Sequence, residues 1–369
     1  MERLTINENE YQLVVDRAVE VLASGGIVVY PTETCYGIGV DATNQAAVDR
    51  LMKYKSRREG KPLSVAVTGR EMAAKYVEIN DLADNLYENY LPGPITVVSK
   101  GLGQVAAGVE SEYGTLGIRV PDYKLILDIV EKFGKPVTST SANVSYKPRP
   151  YDIDTLLKNC SEQQKGYLDL ILDAGVLPKN EPSTVVDTTL NSLNVMREGT
   201  LKFNEDISND KLILQAESDS ADETARFGSL VMLKHIDAML EQPFILALKG
   251  DLGAGKTQFV KGLAQQLKIN ENVSSPTYTI IDEYKYEVGE HRKGLLAHMD
   301  TWRVDGAEEF ARTGLEGYLK PGNVIAIEWA DKFYPELLEA AKNSKAKVLK
   351  VSFEHISESK RKIEVYSEI

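Results

Sequence analysis

Eight residues in the second half restrict this chain more than any others: GDLGAGKT, residues 250–257. They match G-x-x-x-x-G-K-[ST] at every fixed position. The glycines let backbone N–H groups curl around an anion, and a helix starting beyond them adds the positive end of its dipole. The Lys256 ammonium reaches β and γ phosphates, and the Thr257 hydroxyl reaches Mg²⁺. That chemistry needs a strand before the loop and a helix after it. FILAL at 244–248 is an apolar run of buried-strand type, and Phe259, Val260, Leu263 and Leu267 mark one helix face. Gly250, Asp251, Leu252, Gly253, Ala254, Gly255, Lys256 and Thr257 are therefore candidate ATP contacts.

Two later apolar runs end in acids, LLAHMD at Asp300 and VIAIE at Glu328. An acid at the carboxyl end of a parallel strand beside a phosphate loop can hold Mg²⁺ or its water. The plainer alternative is a surface acid at a strand end. Thr277, in SPT at 275–277, is either a switch hydroxyl sensing the γ-phosphate or part of a turn with Pro276 at its second position. Trp302 and Trp329 read as packing residues. No N-K-x-D string follows, so ATP is favoured over GTP. SADE at 220–223 is a capping box that predicts a helix start, and LIL at 212–214 reads as a strand.

The first half alternates strand-like and helix-like periods. Residues 26–30, 63–67, 95–98, 117–120 and 185–186 read as strands, the first running into Pro31, and 45–52 reads as a helix. Its loops carry hydroxyls and bases: PTETCYG at 31–37, Lys55, Arg57, Arg58 and Lys61, STSAN at 139–143, then Ser183 and Arg197. Bases pair with phosphates, while hydroxyls and amides read a small polar ligand. By composition alone, solvated helix ends and ordinary turns remain open. Cys35 has no His beside it and reads as a packed, inert thiol.

Charge narrows the partners. Residues 1–203 carry 27 acids and 22 bases and residues 204–369 carry 28 and 21, within a net charge of −12. Neither half binds a polyanion by bulk charge, so any RNA contact is local or indirect. The two cysteines lack CxxC spacing, which suits a reducing cytosol. The first 20 residues show no signal-peptide pattern, and no run of about 18 apolar residues predicts a membrane span. A boundary is expected near residue 203, with the acidic stretch 204–211 as a linker and domains at 1–203 and 212–369.

In order, GDLGAGKT, SPTY (275–278), HMDTWR (298–303), GLEG (314–317) and IEW (327–329) make the second half resemble the bacterial ATPase family TsaE. The resemblance implies Thr257 and Glu328 on Mg²⁺, an essential Asp300, catalytic Lys256, and service to a TsaB–TsaD transferase. Trp302 stands where that family usually has Tyr.

The first half has seven ordered motifs: PTETCYG, KSR (55–57) with KPL (61–63), PGP (92–94), GIRVP (117–121), STSAN, STVVD (183–187) and REG (197–199). Over about residues 10–203 it resembles the TsaC/YrdC threonylcarbamoyl-AMP synthases. The fold implied is an open twisted α/β sheet, followed by the P-loop NTPase α/β domain. The reaction implied joins L-threonine, bicarbonate and ATP, releasing pyrophosphate. The resemblance puts Lys55, Arg57, Lys61 and Arg197 on the triphosphate, with Lys55 and Arg57 catalytic. It puts Thr115, Ser141 and Asn143 on ATP, and Thr34, Arg119, Ser139 and Ser183 on threonine. Two departures stand out: Tyr146 replaces a common Gly, and Arg149 replaces a small hydroxyl and is either an extra ATP phosphate contact or solvent-facing. No general base is assigned. Together the halves imply tRNA modification in the cytoplasm, with tRNA contacted indirectly or weakly and no membrane. A nucleotide-regulated RNA-binding protein and a P-loop small-molecule kinase are the competing readings.

Overall fold

The computed structural model describes the chain except residues 56–61, 146, 191–192, 201–211, 237, 277–278, 289–291, 358 and 369. Arg57, Arg58, Lys61, Tyr146, Thr277 and the expected linker 204–211 lie outside the described residues. The chain forms two compact units, residues 1–189 with 195–203, and residues 190–194 with 204–369. No helix among the described residues is long and apolar enough to cross a membrane.

The sheet of the first unit contains β1 (Glu2–Thr5), β2 (Val28–Pro31), β3 (Tyr36–Gly39), β4 (Ser64–Ala66), β5 (Ile95–Lys100), β6 (Thr115–Arg119), β7 (Val137–Ser141), β8 (Leu170–Asp173), β9 (Thr184–Asp187) and β10 (Asn194–Arg197). Their order is β1-β8-β2-β3-β7-β4-β6-β5-β9-β10, with parallel and antiparallel pairs mixed. The predicted strand after Gly26 ends one residue later than expected, with Pro31 opposite Tyr36. Helices Tyr11–Ala23 and Lys124–Phe133 bury apolar faces in the unit's core.

Register then places the polar residues. Ser139 of β7 lies opposite Ser64 of β4, which lies opposite Gly117 of β6. Alternate residues share a face, so Ser141, Thr115 and Arg119 join these three. A Cβ on Gly117 would stand 2.9 Å from Ser64 Oγ and 3.1 Å from Thr96 Cγ2, which adds Thr96 to the same face. Leu116, Ile118 and Val65 alternate onto the other face and enter the apolar core. Along β6 one face is thus hydrophobic, while the other carries Thr115, Gly117 and Arg119, with Ser64, Thr96 and Ser139 beside them.

The second unit contains β11 (Leu212–Ser218), β12 (Phe244–Lys249), β13 (Ile281–Val288), β14 (Arg292–Asp300), β15 (Val324–Glu328), β16 (Lys347–His355) and β17 (Arg361–Ser367), in the order β11-β17-β16-β12-β15-β14-β13. The run β16-β12-β15-β14 is parallel. Leu248, Glu328 and Asp300 fall at one level of this run, so both acids reach the sheet's carboxyl edge two residues before the phosphate loop opens.

Helix Ala221–His235 begins as the sequence predicts, with Ser220 Oγ accepting from Glu223 N at 3.1 Å. The return arm is shifted by one residue, since Glu223 Oε2 accepts from Asp219 N at 2.7 Å. This helix lies directly on helix Lys256–Gln266. A Cβ on Gly262 would come within 1.7 Å of Ala225 O, and one on Gly228 within 2.2 Å of Phe259 O. The Ser229 hydroxyl donates to Gly262 O at 2.8 Å. Only hydrogen at both positions permits backbone contact, and this contact backs the phosphate-loop helix.

Gly262→Ala should therefore destabilise the second unit by about 2–3 kcal/mol through forced separation of the helices, whereas Gly317→Ala, with open space at its Cβ, should stay within about 0.5 kcal/mol. Urea unfolding followed by tryptophan emission checks this, because both tryptophans, Trp302 and Trp329, lie in the second unit. Equal midpoints for the two variants would refute the close-contact account.

Candidate functional site

In the second unit, the loop 250–255 connects the end of β12 to helix Lys256–Gln266. Gly255 has φ +101°, and a Cβ there would press to 3.0 Å from Arg361 Nη1. The Lys256 side chain folds back over the loop. Its Nζ donates to Gly250 O at 2.7 Å and Asp251 O at 2.9 Å, and sits 3.8 Å from the centre of the Trp329 ring. Burial lowers its pKa, while Glu328 and Asp300 act in the opposite direction.

The two strand-end acids have separate partners. Thr257 Oγ1 donates to Glu328 Oε1 at 2.8 Å, and His298 Nε2 lies 2.9 Å from that same oxygen. An ionised carboxylate only accepts, so the imidazole N–H donates. Asp300 accepts from Ser275 Oγ at 2.7 Å and from the Trp302 backbone N–H at 2.9 Å. Both acids are buried, and His298 is fully so. Sequence reasoning placed His298 in a motif without a role; its position two residues before Asp300 on one strand was the available signal.

A Mg²⁺ ion fits this donor set. It is a hard cation, commonly bound through one or two carboxylates plus substrate phosphates. Thr257 and Glu328 already converge on a shared hydrogen bond, and Asp300 ends the neighbouring strand. Among the described residues no cluster of three or more His, Cys, Asp or Glu could hold a metal by itself. Such an ion would thus depend on phosphate oxygens and water.

In the first unit, candidate residues gather on the polar sheet face and its loops. Arg197 Nη2 donates to Ser183 O at 2.8 Å and Ser183 Oγ at 2.9 Å, and Ser183 Oγ is 3.0 Å from Thr96 Oγ1. Burial, then repulsion from Arg149 and Arg119, pushes the Arg197 pKa down to about 10. Three guanidinium groups therefore act on one partly buried space. Arg119 Nη2 donates to Glu33 Oε1 at 2.5 Å, with side-chain exposures of 9% and 14%. Thr34 is buried next to that acid, 3.1 Å from the Thr32 hydroxyl. Cys35 is also buried, which raises its thiol pKa against the influence of Arg119 and Arg149.

Lys55, Ser141 and Asn143 form an adjoining group. Lys55 Nζ donates to Ser141 O at 2.6 Å and Asn143 O at 2.7 Å, and Ser141 Oγ donates to Asn143 Oδ1 at 2.6 Å. Thr115, 2.7 Å from Ser111 Oγ, starts β6 on the same face. Ser139 is buried between these groups in register, and Arg149 is half-buried. The contributions of Ser64, Thr96 and Gly117 to this face were missed from sequence. Period-2 small residues inside an otherwise apolar sheet were the signal.

Residues 20–199 match the Sua5/YciO/YrdC family model, described as "Telomere recombination". Residues 218–363 match the model described as "Threonylcarbamoyl adenosine biosynthesis protein TsaE". A threonylcarbamoyl-AMP synthase of Enterobacter sp. is 33% identical over 144 residues, covering 38% of this chain and 76% of that protein. The uncharacterized protein YciO of Escherichia coli is 28% identical over 193 residues, covering 52% of this chain and 92% of that protein. The crystal structure of P. abyssi Sua5 complexed with L-threonine has a TM-score of 0.50 at 18% identity, covering 94% of this chain and 98% of that one, a likeness of fold.

Because Trp329 touches Lys256 and lies 4.6 Å, centre to centre, from Trp302, ATP or ADP should change the tryptophan emission of the full chain in a saturable way. Lys256→Ala should weaken that response about 10–100-fold through loss of charged hydrogen bonds to phosphate. An unchanged titration in the variant would remove Lys256 from the nucleotide site.

Proposed function

The chain belongs to the Sua5/YciO/YrdC family and carries a TsaE domain behind it, and from that premise we propose that it is a fused L-threonylcarbamoyladenylate synthase and ATPase. The observation that carries this reading is the surplus of cationic donors around a hydroxyl-lined sheet face: buried Arg119, half-buried Arg149, and Arg197 at the end of β10, whose charge both of the others oppose. Positive charge gathered beside too few acids favours an anionic ligand. ATP and an amino-acid carboxylate are two such anions.

In this reading, the first unit adds bicarbonate to the amine of L-threonine to make a carbamate. A carbamate oxygen attacks the α-phosphorus of ATP, the bond to the β-phosphate oxygen breaks, and pyrophosphate leaves. Positioning and charge neutralisation then carry most of the catalysis. Lys55, Arg149 and Arg197, with Arg57 and Lys61 from outside the described residues, hold phosphates. Thr115, Ser141 and Asn143 complete the ATP site. Arg119 takes the threonine carboxylate as a planar fork, and Thr34, Ser139 and Ser183 read its hydroxyl and amine.

The second unit hydrolyses ATP. Lys256 neutralises phosphate charge, and Thr257 and Glu328 would hold Mg²⁺, which supplies charge neutralisation at the phosphates when bound. Asp300, fixed by Ser275 and the Trp302 N–H, orients water near the ion, with Thr277 as a switch. The product of the first unit passes to tRNA adenosine in the cytoplasm through separate TsaB and TsaD proteins. The net charge of −12 favours tRNA contact through those partners.

Pyrophosphate release by the full chain should need both L-threonine and bicarbonate. Arg119→Ala should raise KM for threonine, and Arg197→Ala should lower the rate about 100-fold or more. Lys256→Ala should leave this release intact and abolish threonine-independent phosphate release. Pyrophosphate release indifferent to threonine would sink the synthase reading, and phosphate release surviving in Lys256→Ala would sink the ATPase assignment.

A further inference from the structure

Resting on the synthase reading above, we propose that Glu33 is the general base of the first unit, taking the proton from the substrate ammonium while Arg119 holds the carboxylate of the same molecule.

The buried Glu33–Arg119 pair is incomplete in a specific way. Glu33 uses Oε1 to accept from Arg119 Nη2. Among the described residues its other oxygen, Oε2, is buried and has no hydrogen-bond partner, and Arg119 Nε is likewise buried without an acceptor. Such groups are normally satisfied in a folded protein. One free acceptor on an acid and one free donor on a base, presented by a single ion pair, match the two ends of an amino-acid zwitterion. The carboxylate takes the guanidinium, and the ammonium takes Glu33 Oε2. Structure also fixes the acid from behind, since Asn180 Nδ2 donates to the Glu33 backbone oxygen at 2.8 Å.

The chemistry needs this acceptor. An ammonium has no lone pair and cannot attack carbon. Glu33 Oε2 takes one proton, leaving a neutral amine and a carboxylic acid. The amine nitrogen bonds to the bicarbonate carbon, and a C–O bond breaks. The departing hydroxide combines with a second amine proton and leaves as water. The products are the carbamate anion and water, and Glu33 returns its proton to solvent. The positive charges of Arg119 and Arg149 bear on this pocket and disfavour the ammonium form, which promotes loss of its proton.

The groups facing Glu33 keep one protonation state between about pH 6 and 9. Arg197 is lowered only to about 10, the Tyr30 phenol is pushed up to about 12, and burial raises the Cys35 thiol. Threonine-dependent pyrophosphate release is measured across that range for the wild-type chain, Glu33→Gln and Glu33→Asp. Glu33→Gln should lower kcat at pH 7 about 100-fold or more. Its rate should then climb about tenfold per pH unit, following the fraction of free amine, while the wild-type profile is flatter. Glu33→Asp should recover part of the rate at pH 7. A Glu33→Gln enzyme with raised KM for threonine, unchanged kcat and a wild-type pH profile would overturn the proposal and leave Glu33 a support for Arg119. If the wild-type chain itself releases no threonine-dependent pyrophosphate, the synthase reading falls first, an outcome visible without any variant.

Discussion

Two buried lysines, one in each unit, organise the ligand loops in the same way. Lys55 and Lys256 are 5% and 4% exposed, and each donates to a pair of backbone carbonyls, Ser141 with Asn143 and Gly250 with Asp251. An ammonium withdrawn from water must recover its hydrogen bonds inside the protein. Loop carbonyls are the partners at hand, so each lysine draws its loop into a curve around itself. The same contacts hold each ammonium in one place, so that in the proposed reading a phosphate would meet a cation with little side-chain freedom left to lose.

Around each lysine, register does the rest. In the second unit, parallel β12, β15 and β14 reach the carboxyl edge together, which sets Glu328 and Asp300 beside the opening of the phosphate loop. In the first unit, Ser139, Ser64 and Gly117 align across three strands and pave one face with small polar groups. A one-residue slip in either sheet would turn these side chains to the opposite face. The apolar alternation that builds the core therefore also protects the site, because a slip would bury the hydroxyls in hydrocarbon.

The polar groups left incomplete are as informative as those that are paired. Most of the site residues, from Thr257 with Glu328 to Arg197 with Ser183, are satisfied as they stand. Glu33 and Arg119 are satisfied by halves. Each unit has its own sheet and core, and one chain carrying both keeps their local concentrations equal and high.

The sequence by itself determined the local chemistry. The glycine spacing of 250–257 and the apolar runs on either side specify a phosphate loop between a strand and a helix, because both depend on neighbouring residues alone. The acids closing two β runs were legible for the same reason, as was the Ser220 cap. Tertiary structure alone decided what meets across long separations. Glu33 and Arg119 lie 86 residues apart, as do Lys55 and Ser141. His298 approaches Glu328 only because β14 and β15 are neighbours. The backbone contact at Gly228 and Gly262 likewise arises from helix packing. Strand order and register are set by burial summed over the whole unit, and no short segment encodes that sum.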